Sequence, residues 1–135
     1  MNEPEVTMPD APTRHSLIAH DTALAAAATA IRLVRRVPVP LKPIADQLIR
    51  SSASVAANLA EGHGRFGRDR QHHWRIAYAS AKEVDSHLRL LLSAGALNAS
   101  VAEAALDAFD SVRAMTWRLL NPSRSRWGPA VAAAS

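Results

Sequence analysis

The densest run of side chains able to do chemistry lies between Gly62 and Arg75. Arg65, Arg68, Arg70 and Arg75 fall within eleven residues, opposed only by Asp69, with His63, His72, His73, Phe66 and Trp74 interleaved. Guanidinium groups make forked contacts with phosphate and carboxylate. The free backbone N–H groups of a helix starting here would add positive potential at the same place. The four arginines are therefore the candidate nucleic-acid-binding residues. A solvated helix start with Trp74 turned into the core is the competing reading.

Other chemistries fail on spacing. Gly62-His-Gly-Arg-Phe-Gly67 matches G-x-G-x-x-G, but a dinucleotide fingerprint must follow a strand and open a helix within a βαβ unit, and here a helix precedes it. A di-iron bundle needs Glu-x-x-His on paired helices. Glu83 and His87 are four apart, and neither Glu61 nor Glu103 has a histidine three residues later. His72 and His73 are adjacent and point to different helix faces. His20, on an apolar stripe, reads as a hydrogen-bonded core histidine. Cysteine is absent, which excludes disulfides, thiolate metal sites and a cysteine nucleophile. There is no G-x-S-x-G, no H-E-x-x-H and no phosphate loop ending in Gly-Lys-Ser/Thr. The expectation is a protein without catalytic residues, metal or cofactor.

Polar residues recur inside otherwise apolar segments: Gln47, Arg50, Asn58 and Glu61, then Ser80 and Glu83. Arg50 and Glu61 are three helical turns apart and share a face. If that face is buried the charges need partners, because an unpaired buried charge costs several kcal/mol. Arg50 or Arg65 is expected to pair with Glu61 or Glu83. The six form a candidate structural network that fixes helix register or a subunit boundary.

The elements that must position these residues follow from punctuation and period. Breakers cluster at Pro38 to Pro43, Gly62 to Gly67 and Gly95 to Ser100, dividing the chain into four segments. Leu17, His20, Leu24, Ala27, Ile31 and Val34 mark the first helix, from about Arg14 to Val37. Pro43 suits the first turn of the second, with Ile44, Leu48, Val55 and Leu59, ended by Gly62 or Gly64. Trp74, Ala77, Ala81, Val84, Leu88 and Leu91 mark the third, with Gly95 as its left-handed C-terminal residue. Ser100-Val-Ala-Glu103 reads as a capping box for the fourth, striped by Val101, Ala105, Ala108, Val112, Met115 and Leu119 and closed at Asn121-Pro122. The predicted fold is all-α, an up-down-up-down four-helix bundle over 14–121. Tails with little order are expected at 1–13 and 122–135.

Of 135 residues, 65 are apolar and 28 of those are alanine, leaving 37 larger side chains for one thin core. One domain fits that length. The stretch from Ser51 to Ala57 is small on almost every side, which suggests contact on two faces, one of them with a second copy. The first thirteen residues carry Glu3, Glu5 and Asp10 and no base. From Arg14 onward sixteen basic residues oppose nine acidic, a net charge of +7. Such an excess suits an anionic partner. No signal peptide pattern and no run of about 18 apolar residues is present, so no membrane partner and a cytoplasmic location are expected.

The stretch from Asp46 to Arg65 resembles the signature of the bacterial 23S rRNA intervening-sequence proteins, roughly Q-I-R-R-A-A-x-S-I-P-x-N-I-A-E-G-x-x-R. Gln47, Arg50, Ser54, Asn58, Ala60, Glu61, Gly62 and Arg65 match in register. The segment from Ala77 to Glu83 is similar to the family's A-R-G-S-x-x-E. Ile49, Ala56 and Tyr78-Ala79 depart from it. The likeness covers about residues 14–120 and implies a four-helix bundle assembled as a ring-like homopentamer. A related branch, the accessory variability proteins of diversity-generating retroelements, comprises basic pentamers that bind a reverse transcriptase and nucleic acid. The resulting expectation is a non-enzymatic homopentamer that binds RNA or DNA, with a reverse transcriptase as a further partner. The alternative is a structural or protein-interaction module whose arginines serve subunit contacts.

Overall fold

The computed structural model describes residues 11–122. These form four helices, α1 (Ala11–Val34), α2 (Lys42–His63), α3 (Gly67–Ser93) and α4 (Ala99–Leu120). A single 3-10 turn, Val39–Leu41, precedes α2, and there is no strand among the described residues. Helix α1 begins three residues before the expected Arg14. The rest of the two expected tails, apart from Pro122, lies outside the described residues.

Each boundary has a local cause. Pro38 and Pro40 prevent α1 from continuing, and its last turn tightens through Val37 N–H donating to Val34 O at 3.2 Å. Pro43 occupies the first turn of α2, where its missing N–H is not needed. Gly64 caps α2 in a right-handed conformation, φ −83°. The positive φ of this connection falls at Gly67, +57°. Gly95, φ +73°, closes α3 as the sequence predicts. Ala96 N–H donates to Leu91 O and Gly95 N–H to Leu92 O, both at 3.0 Å, the paired pattern of a Schellman motif.

At the start of α4 the capping residue is Asn98 rather than Ser100. Its Oδ1 accepts from Ser100 N–H at 3.1 Å and Val101 N–H at 3.3 Å, and also from the Ser100 hydroxyl. Asparagine reaches both free donors from two residues before the expected cap, so the expected Ser100–Glu103 box does not form.

The helices pack in sequence order, α1 on α2, α2 on α3, α3 on α4, and α4 closes on α1. The ends confirm that neighbours run antiparallel. His63, at the end of α2, meets Ser16 near the start of α1, and Arg70 in the first turn of α3 reaches back to the end of α2. This is the four-helix bundle the breakers predict.

The core holds Phe109, Leu48, Leu59, Leu88, Leu91, Val55, Val84 and Val112, all essentially inaccessible. Every stripe residue predicted for α3 is buried. On α1 the period is right and the phase is not. Its buried face is Ser16, Ala19, Ala23, Ala26, Ala27, Ala30 and Val34, whereas Leu17 and Leu24 stand 45% and 50% exposed. Alanine lets the α1 backbone approach its neighbours closely, so the smaller face goes inward and the leucines are left on the flank. On α4, Ala102, Phe109 and Thr116 join the core, and Val101 is exposed. His20 is likewise outside the core, half-buried, with Nδ1 4.0 Å from Asp21. Residues 14–34 are long and apolar enough, by composition, to span a membrane. That composition serves a bundle helix whose alanine face is packed against protein.

Candidate functional site

The candidate residues share one seam, the outer groove between α2 and α3. At one end Arg50 donates to Gln47 Oε1 from Nε at 3.0 Å and from a terminal nitrogen at 2.7 Å, and crosses to Glu83 Oε2 at 3.4 Å. Midway, Ser54 and Ser80 share a hydrogen bond at 2.9 Å. Asn58 Nδ2 donates to Ser54 O at 2.9 Å. That carbonyl can only accept, so the Asn58 amide is oriented with Oδ1 toward His73. The His73 Nδ1 atom, 3.0 Å away, is therefore the donor. At the far end Arg65 is held between Glu61 (2.7 Å) and Asp69 (3.1 Å). Those two carboxylates, the hydrogen bond to Glu61 first, raise the Arg65 pKa above its ordinary value.

The six predicted polar residues thus lie on one groove but in three separate clusters, and the face is not buried. The Arg50–Glu83 pair is 63% and 49% exposed, and the Arg65–Glu61 pair is 44% and 49% exposed. Such pairs fix geometry and contribute little stability. Ser80 alone among the six is buried.

The four arginines of the loop do not converge. Arg65 is neutralised by Glu61 and Asp69. Arg70 turns inward, donating to Gly62 O at 3.0 Å and His63 O at 3.1 Å, which satisfies carbonyls at the end of α2. Its guanidinium also lies over the rings of Trp74 at 5.2 Å and Phe66 at 5.8 Å. Arg75 bonds Gln71 at 3.3 Å, and exposed Arg68 makes no side-chain bond or ion pair among the described residues. Gly62, the first glycine of the G-x-G-x-x-G pattern, is a packing position. A Cβ there would run into the Trp74 indole edge. Trp74 is buried, as the competing reading of the loop had it, and its Nε1 has no hydrogen-bond partner among the described residues.

A pairing that spacing did not reveal joins His63 Nδ1 to Ser16 Oγ at 3.2 Å, across 47 residues. A hydroxyl beside an imidazole is the start of a nucleophile–base pair. Ser16 is fully buried, however, and the contact satisfies a core hydroxyl. No cluster of three or more metal-ligating side chains exists among the described residues.

Arg50, Ser54 and Asn58 of the α2 signature thus meet α3, and the sequence matches the family described as 23S rRNA-intervening sequence protein over residues 16–118. The chain belongs to that family. Among solved structures it is similar to a Bacteroides thetaiotaomicron protein of unknown function from the S23 ribosomal protein family, with a TM-score of 0.72 at 20% identity. The match covers 78% of this chain and 97% of that one, and it shows the shared fold. No curated protein matches the chain. For this intervening-sequence family member, Arg50, Ser54 and Asn58 tie α2 to α3 through Glu83, Ser80 and His73, while Gln47 and Glu61 hold Arg50 and Arg65 in place.

Proposed function

We propose that this protein is a non-enzymatic interaction module that works as a homo-oligomer, assembled through the outer α1–α2 face. The carrying observation is the rotation of α1, which puts alanines in the core and leaves Leu17 and Leu24 half exposed. Leu17, Leu24 and Ile31 repeat every seven residues and share a flank. Thr29, Leu33 and Arg36 flank Val101 of α4 on the other side, so the leucine flank is the one toward α2. On α2, Gln47, Ser54 and Asn58 lie toward α3, and Ile49, Ala53 and Ala60 lie on the opposite flank toward α1, with Ala53 and Ala60 exposed. Large side chains on one helix beside small ones on the next form a surface suited to another helix pair. The resemblance implies five copies, and Arg50, Arg65, Arg70 and Arg75 on the α2–α3 side already have partners within the chain.

The test is the solution mass by light scattering. Several times 14.5 kDa is expected, and Leu17→Glu with Leu24→Glu should return the chain to one copy. A wild-type monomer refutes the proposal.

A second reading, binding of RNA or DNA, has its own support in the charge distribution. Asp46, Glu61, Asp69, Glu83, Asp85 and Asp110 are taken up in ion pairs, so the excess positive charge sits on arginines elsewhere. A reverse transcriptase partner rests on the resemblance alone. Mixed-sequence RNA should bind at low salt and weaken as salt rises.

A further inference from the structure

We propose that the end of α1 carries a phosphate-binding pocket, formed by Arg32, Arg35 and Arg36 beside the first turn of α4, and that its ligand is the backbone of a nucleic-acid strand. This inference rests on the nucleic-acid reading above and moves its site away from the Arg65–Arg75 loop. The pocket, about 440 Å³ and open to solvent, is lined by Thr29, Arg32, Leu33, Arg35, Arg36 and Val101. Three of its six lining residues are arginine and none is acidic.

The state of those guanidinium groups distinguishes this place from the loop. Arg32 makes a single long contact, 3.4 Å, to the Thr29 hydroxyl. That hydroxyl is itself committed to Ala25 O at 3.1 Å. Arg35 and Arg36 make no side-chain hydrogen bond or ion pair among the described residues, and all three are exposed. Arg14, Arg68 and Arg118 are equally unpaired but stand singly. One basic residue in the last turn would answer the negative end of the α1 dipole. Three within five residues exceed that need, and they repel one another unless an anion lies between them. The positive end of α4 faces the same pocket through Val101. The Ser100 and Val101 N–H groups are already taken by Asn98, so α4 supplies field rather than hydrogen bonds. Forked guanidinium donors in an open, carboxylate-free groove match the oxygens of successive phosphates.

The experiment is fluorescence anisotropy of a labelled single-stranded RNA of mixed sequence over a salt series. Wild type is compared with the triple variant Arg32→Gln, Arg35→Gln, Arg36→Gln and with the double variant Arg68→Gln, Arg75→Gln. Losing three phosphate contacts should lower the slope of log K against log salt by about 2, at roughly 0.7 per contact for a single strand. The double variant should retain a slope closer to wild type. Circular dichroism melting and light scattering establish that the triple variant is folded and assembled as wild type. If wild type binds RNA and the triple variant binds with an unchanged slope, the pocket assignment is overturned while the nucleic-acid reading stands. If wild type does not bind at low salt, both fall. Polyglutamate of equal charge competing as well as RNA would overturn the phosphate assignment in favour of an acidic protein.

Discussion

Replacing Gly62 by alanine should destabilise the bundle, although alanine is the better helix former. Gly62 lies in the last turn of α2, buried against Trp74. Removing a glycine from a helix gains about 1 kcal/mol in propensity. Against this, an added Cβ meets the Trp74 Cδ1 and Nε1 atoms too closely for the ring to stay, with Arg70 O 3.2 Å away on the other side. Overpacking of this kind costs about 1–3 kcal/mol. The tryptophan cannot yield cheaply. It is 3% exposed, and a ring of its size burying roughly 200 Å² contributes about 5 kcal/mol, so losing even a third of that contact costs about 1.5 kcal/mol. The net expectation is a loss of about 1 kcal/mol, a melting temperature lower by roughly 4 °C for a chain of this length. The assay is thermal melting by circular dichroism at fixed protein concentration, since an oligomer's melting point depends on concentration. Gly64→Ala is the control. Its backbone is right-handed and the nearest atom to a Cβ is Glu61 O at 3.8 Å, so the variant should be neutral or gain about 0.5 kcal/mol. A Gly62→Ala protein that melts at or above the wild-type temperature would refute the packing argument.

Three further outcomes follow from the geometry. Arg70→Ala removes two bonds to α2 carbonyls and the stacking on Trp74, and should lower stability by about 1–2 kcal/mol in chemical denaturation; no change would mean that Arg70 is a free surface arginine after all. Asn98→Ala should cost about 1 kcal/mol by the same method, and Ser100→Ala distinctly less, because Asn98 is the capping residue of α4. Replacing His73 by phenylalanine should leave Asn58 Oδ1 without its donor and weaken α2–α3 packing by about 1 kcal/mol, whereas glutamine, which keeps an N–H, should recover part of the loss.

Helix order, approximate boundaries and the α3 stripe were readable in the sequence because proline, glycine and period act locally, although α1 lies three residues earlier at both ends than expected. Pro43 and Gly95 do their work within a few residues of themselves. The phase of α1 was not readable in the same way. Its leucine stripe and its alanine face have the same period, and which turns inward depends on how closely α2 and α4 approach. The same limit applies to the site. Gln47, Arg50, Asn58, Glu61, Ser80 and Glu83 could be singled out as polar residues in apolar helices. That Asn58 meets His73, or that His63 closes over Ser16, depends on contacts between helices that leave no trace in spacing. The Arg65–Arg75 run drew attention by its density. Density did not show that Glu61 and Asp69 hold Arg65, or that Arg70 points back into α2. The Arg32, Arg35 and Arg36 group was hidden at the end of an alanine-rich helix, and what marks it is the absence of partners among the described residues.

In the proposed assembly the exposed leucine flank of α1 is covered by another copy of the chain. The most direct test is the light-scattering mass of wild type beside that of the Leu17→Glu, Leu24→Glu variant at the same concentration. A wild-type mass near 73 kDa is expected if five copies of about 14.5 kDa assemble, and a folded variant of one copy. A wild-type mass of one chain, or a variant that keeps the wild-type mass, would contradict it.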